Sequence, residues 1–114
     1  MSTITTHVLD TALGCPAKGI SVSLERLPES GPAKQIGAGM TDLDGRIRDL
    51  LAPGQALAAG LYRLRFQTGA YFARDGREAF YPFVEVVFLV QGTRTHYHVP
   101  LLLNPFGYST YRGS

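Results

Sequence analysis

The sequence predicts an all-β fold, an antiparallel two-sheet sandwich of seven to eight strands with one short helix. Two observations carry this expectation. Apolar and polar residues alternate with period two through most of the chain, the pattern of strands with one buried face. Thirteen glycines and seven prolines make roughly 18% of 114 residues, against a usual background of about 12%, so turns are frequent. Many short strands fit that composition better than a few long helices. The length suits one compact domain over residues 1–114.

The elements follow in order. Residues 4–9 form the first candidate strand. In the second, Ile20, Val22 and Leu24 alternate with Ser21, Ser23 and Glu25. Residues 34–41 make a third, weakened by Gly37 and Gly39, and a short piece over 46–50 follows the turn Asp42-Leu43-Asp44-Gly45. Tyr62, Leu64 and Phe66 alternate with Arg63, Arg65 and Gln67 in a clear strand. The only helix falls at 68–75, with Thr68 as its N-cap and Gly76 as the left-handed residue past its end. Two strands at 84–91 and 95–103 are separated by Gly92-Thr93-Arg94, and the tail over 108–114 supplies a last short strand.

Composition excludes several classes of function. Apolar residues are 45%, charged residues 18% and the net charge +2, the balance of a globular protein without a basic block. No nucleic-acid motif is present, so no nucleic-acid partner is expected. The longest apolar runs, 86–90 and 99–103, fall far short of a membrane span, so no membrane partner is expected. Residues 1–7 show no secretory pattern, which leads to an expected cytoplasmic location. Cys15 stands alone, so no intramolecular disulfide can form. No Gly-x-Ser-x-Gly elbow, P-loop or dinucleotide fingerprint occurs, and no cofactor or resident metal is expected.

One strand points beyond the single chain. Across 84–90 one face carries Val84, Val86, Phe88 and Val90, while the other still carries Val87 and Leu89. An outer face turned to solvent should be more polar. Either a loop covers that pair, or the sheet meets another subunit; the second reading is favoured.

The residues able to carry chemistry are few. His96 and His98 stand two apart in a strand, so both project from one face, with Pro100 next along it. Tyr97, Val99 and Leu101 point the other way, into the core. Paired imidazoles serve a metal or acid–base chemistry. Zinc would need a third ligand from Cys15, His7 or a carboxylate, and no ligand-like spacing supports that. Cys15 lies in an expected turn, Gly14-Cys15-Pro16, with no activating base beside it. Arg46 follows a tight Asp-Gly turn and would not be singled out on composition.

The motifs say more. Thr6-His7-Val8-Leu9-Asp10-Thr11-Ala12-Leu13-Gly14-Cys15-Pro16-Ala17, Thr41-Asp42-Leu43-Asp44-Gly45-Arg46-Ile47 and Phe80-Tyr81-Pro82 with Val84-Glu85-Val86-Val87-Phe88 resemble three motifs of one family. His96-Tyr97-His98-Val99-Pro100-Leu101-Leu102-Leu103 and Tyr108-Ser109-Thr110-Tyr111-Arg112-Gly113-Ser114 resemble its ending. That family is the 5-hydroxyisourate hydrolases, within the transthyretin-like proteins, and the resemblance runs in register from residue 4 to 114. Hormone-carrying transthyretins share the framework but lack the terminal Tyr-Arg-Gly-Ser and the catalytic histidines. One departure is Phe83, where the family has Glu after Tyr-Pro; it lies outside the motifs that carry chemistry.

The resemblance implies hydrolysis of a purine-derived ring amide in urate breakdown. It also implies a homotetramer, a dimer of dimers, with active sites in the channel where dimers meet. It places His7, Arg46, His98 and Ser114 in the catalytic site, with His7, Arg46, Tyr111 and Arg112 binding substrate. Tyr111 and Ser114 are expected to fix the substrate's polar edge, with Arg112 sharing that role or anchoring the tail. His96 ranks as structural. The rival expectation is a transthyretin-like carrier holding a small aromatic ligand in the channel.

Overall fold

The computed structural model describes residues 3–52, 55–92 and 95–114. Thr93 and Arg94, named in the separator between the last two long strands, lie outside the described residues, as do Met1 and Ser2. The described chain forms nine strands and one helix: β1 (Thr3–Asp10), β2 (Cys15–Pro16), β3 (Ser21–Leu27), β4 (Lys34–Met40), β5 (Arg46–Ile47), β6 (Gly60–Phe66), α1 (Thr68–Arg74), β7 (Val84–Val90), β8 (His96–Asn104) and β9 (Gly107–Thr110). Seven of the strands are four residues or longer, and these are the ones that alternation predicts.

Two sheets face each other. One runs β4-β3-β6-β7; the other runs β2-β1-β8-β9, with β5 also on β1. Both inner faces are apolar. Ile4 and Val8 of β1 meet Leu101 and Leu103 of β8 in the core, opposite Val22, Leu24, Leu64 and Phe66. Tyr97, Val99 and Leu101 are buried as the alternation requires.

The pairing of β1 with β8 is parallel, in register from Thr3↔His96 to Asp10↔Leu103, within a sandwich otherwise antiparallel. Parallel neighbours need a long connection, and here nearly the whole chain intervenes. Alternation within each strand says nothing about which distant strand it joins, or in which direction. The other edge of β1 is shared by two short partners: β5 at Thr6↔Ile47 and His7↔Arg46, and β2 at Leu9↔Pro16 and Asp10↔Cys15.

Four local expectations change. The piece at 46–50 pairs only over Arg46–Ile47. Cys15 and Pro16, expected in a turn, pair with β1 instead, and Cys15 is an exposed free thiol. The N-cap of α1 is Gln67 without a side-chain cap bond, and Thr68 is the first helical residue, fully buried. The tail pairs over Gly107–Thr110, then touches β8 again only where Gly113 bridges to His98. Gly76, at φ +66°, ends the helix as expected.

Phe83, the departure from the family pattern, lies under the Arg65 guanidinium, 4.2 Å from its ring centroid. On β7, Val87 and Leu89 are 54% and 56% exposed. Among the described residues no loop covers them.

Candidate functional site

The site grows from three pieces of backbone that meet on the outer face of the β1–β8 sheet. Parallel register puts paired residues on one face, so Thr3, Thr5 and His7 stand beside His96, His98 and Pro100. The antiparallel pair His7↔Arg46 brings the guanidinium to the same face from the opposite edge.

Arg46 is delivered by its turn. The Asp42 carboxylate accepts hydrogen bonds from the backbone N–H of Asp44 (2.9 Å) and of Arg46 (3.0 Å). These bonds, that to Arg46 foremost, hold the Asp42 carboxyl below its usual range. Gly45 then turns at φ +74°, where a Cβ would sit 2.4 Å from the Val8 carbonyl oxygen. That close approach lets the Val8 N–H bond to the Gly45 carbonyl at 2.8 Å and seats β5 on β1.

A cleft of ≈ 240 Å³ opens here, lined by Thr5, Arg46, Arg48, His96, His98 and Ser114 among others. It falls below the roughly 300–1,000 Å³ of drug-sized pockets, so a small, compact ligand suits it. The residues that line it include two arginines and no carboxylate side chain. The rings of His96 and His98 lie nearly parallel, with centroids 6.4 Å apart and planes 9° from parallel. Nδ1 of His96 is 2.5 Å from Thr3 Oγ1, and Nδ1 of His98 is 2.7 Å from Thr5 Oγ1. Burial first, then the neighbouring charges of Arg46, His96 and His7, push the His98 pKa below the ordinary imidazole value.

The structure therefore brings Arg46, His98 and Ser114 to one cleft, with His7 close enough to act on His98 through its charge. Tyr111 and Arg112 lie elsewhere. They line a second cleft of ≈ 290 Å³ with Val87, Leu89 and Val99, and His98 borders both clefts. Three cleft residues carry more than the sequence pattern assigns them. His96, ranked as structural, lines the cleft; Thr5 and Arg48 were not singled out. Arg48 stands two residues beyond Arg46, and Thr5 two before His7, so period two was the available signal. Among the described residues no group of three or more His, Cys, Asp or Glu side chains is gathered as a metal site requires.

What this geometry can do is stabilise negative charge beside an unprotonated imidazole. A permanently charged guanidinium suits a planar acceptor on which charge develops, and a base with a depressed pKa stays free near neutral pH.

The two-sheet sandwich and its short helix define a transthyretin-fold protein, here with a cationic, histidine-lined cleft on one outer sheet face. Residues 4–113 match the HIUase/Transthyretin family, and the chain belongs to it. It is similar to the 5-hydroxyisourate hydrolase of Mus musculus, 48% identical, with 99% of this chain and 96% of that protein covered. Among solved structures it is similar to Klebsiella pneumoniae 5-hydroxyisourate hydrolase, with a TM-score of 0.85, 41% identity and both chains fully covered. Sea bream transthyretin in complex with thyroxine superposes with a TM-score of 0.89 at 34% identity, covering 97% of this chain and 94% of that one. Backbone likeness thus does not separate hydrolase from carrier, and the side chains of the cleft must.

Proposed function

We propose that this chain hydrolyses 5-hydroxyisourate, adding water across the N1–C6 ring amide to give 2-oxo-4-hydroxy-4-carboxy-5-ureidoimidazoline in urate breakdown. The observation that carries the reading is the cleft itself: Arg46, His98 and Ser114 together, with His7 beside them. A carrier of an aromatic hormone calls for an apolar lining, and this cleft offers arginines and imidazoles. The full-length likeness to hydrolases supports the same reading.

In the mechanism, water is oriented by His7 and His98, and an imidazole takes its proton as the oxygen attacks C6. The carbonyl oxygen becomes an oxyanion, which Arg46 stabilises. The tetrahedral species collapses with cleavage of C6–N1, and the imidazolium returns its proton to the departing nitrogen. Ser114 fixes the polar edge of the bicycle.

Assembly completes the site. The chain forms a homotetramer, a dimer of dimers, with the clefts opening into a channel between dimers. The exposed Val87 and Leu89 on edge strand β7 support a subunit contact there. Tyr111 and Arg112 border the cleft beside that edge, where assembly would enclose them.

Hydrolysis in ¹⁸O-labelled water tests the chemistry. One ¹⁸O atom in the new carboxylate of the product, formed faster than without protein, is the expected result. No acceleration, together with tight binding of thyroxine, would overturn the reading in favour of the carrier.

A further inference from the structure

His98 is gripped on two sides by residues that have no part in the chemistry above. On one side Thr5 Oγ1 lies 2.7 Å from Nδ1. The contact engages Nδ1, so for the imidazole to act as a base through Nε2 the hydrogen must sit on the nitrogen facing Thr5, with the hydroxyl oxygen accepting it. On the other side the tail crosses the imidazole with bare backbone. The Gly113 N–H bonds to the His98 carbonyl at 2.9 Å. A Cβ on Gly113 would sit 2.4 Å from His98 Cδ2 and 3.2 Å from Cγ, closer than side chains approach. Only glycine lets the tail lie this close to the ring.

We propose that Thr5 and Gly113 are positioning residues that hold His98 as its Nδ1–H tautomer, leaving the Nε2 lone pair as the base. The inference rests on His98 acting as a base in the hydrolysis above. It assigns a physical role to the threonine two residues before His7 and to the glycine inside the terminal Tyr-Arg-Gly-Ser. Thr5 sets which nitrogen is free, and Gly113 sets the angle of the ring that bears it.

Long-range ¹H–¹⁵N correlation spectra of histidine-labelled protein above neutral pH read the tautomer directly. The wild-type protein should show His98 with a protonated Nδ1 and an unprotonated Nε2. Thr5→Val should populate the other tautomer and lower kcat on the order of 10- to 100-fold, less than the roughly 10⁴-fold lost where an orienting carboxylate is removed. KM should stay within about twofold, since valine keeps the shape of the Thr5 side chain where it lines the cleft. Thr5→Ser, which restores the hydroxyl, should recover both tautomer and kcat. Gly113→Ala should lower kcat with the tautomer unchanged, since it displaces the ring without touching Nδ1. A wild-type His98 protonated on Nε2 would overturn the inference. So would a Thr5→Val protein with unchanged tautomer and unchanged kcat. The spectrum decides the tautomer even in a protein that hydrolyses nothing, so failure of this inference and failure of the substrate reading are separable.

Discussion

Strand β1 carries two charged clusters, one on its inner face at Asp10 and one on its outer face around His7. At Asp10 opposite charges meet and are used up. The fully buried carboxylate accepts from Tyr71 Oη and Arg77 Nη2, each at 2.8 Å, and from the backbone N–H of Ala12 and Leu13 at 3.1 Å. Burial alone would raise the Asp10 pKa, but Arg77, Tyr71 and the Leu13 N–H together hold it below its usual value. The same burial, with Asp10 beside it, pushes the Tyr71 phenol up to about 12. Arg77 completes the cluster by stacking on Phe72, 4.8 Å from the ring centroid.

Around His7 the opposite arrangement holds. Arg46, Arg48, His96 and His98 gather without a carboxylate side chain in the lining, and burial and the neighbouring cations make His98 harder to protonate. A compensated cluster ties β1 to α1 and the turn after it. One without an acidic side chain keeps a base free and leaves its guanidinium groups available to an electron-rich partner. In this chain charge balance, more than burial, separates strut from site.

Substitutions probe that contrast from either side. The largest effect on turnover is expected from Arg46→Glu, which puts a negative charge beside the oxyanion. Losing a single oxyanion donor costs about 10²–10³-fold, and reversal should exceed that, measured as kcat/KM on 5-hydroxyisourate. His98→Asn follows, with a loss of about 10²–10³-fold, inside the range of general-base catalysis; thermal melting should show the fold intact. On the strut, Asp10→Ala leaves Arg77 with only the more exposed Asp75 carboxylate, at 3.2 Å, and should cost about 3 kcal/mol of stability. That lowers Tm by on the order of 10 °C, with kcat near wild type below the transition. The smallest effect concerns pH. The free base is needed, so activity should be full near neutral pH and fall as pH drops through the depressed His98 pKa. The acid limb therefore lies below the ordinary value of ~6.5. His96→Gln removes one of the cationic neighbours, so the limb should move to higher pH, read from the pH dependence of kcat/KM.

Much of this was legible in the sequence, for identifiable reasons. Strands such as Gly60–Phe66 could be placed because a buried face imposes period two, and the Gly76 helix end because a left-handed residue favours glycine. The parallel union of β1 with β8 was not legible, since alternation is blind to the partner of a strand, and with it went the Thr5–His98 contact. Arg46 and His98 came from motif resemblance, while Arg48 and the place of His96 in the cleft came only once register put their faces together. The division of the tail between two clefts, with Ser114 on one side of His98 and Tyr111 on the other, depends on where Gly113 crosses the ring.

The separation of strut from site is tested most directly by the decay of 5-hydroxyisourate, generated in place from urate by uricase and followed by near-ultraviolet absorbance. Wild-type, Arg46→Glu and Asp10→Ala proteins would be compared at a temperature where all are folded. Decay well above the spontaneous rate is expected with wild type and Asp10→Ala, and decay at the spontaneous rate with Arg46→Glu. Equal acceleration by wild type and Arg46→Glu, or none by a correctly assembled wild-type protein, would contradict it.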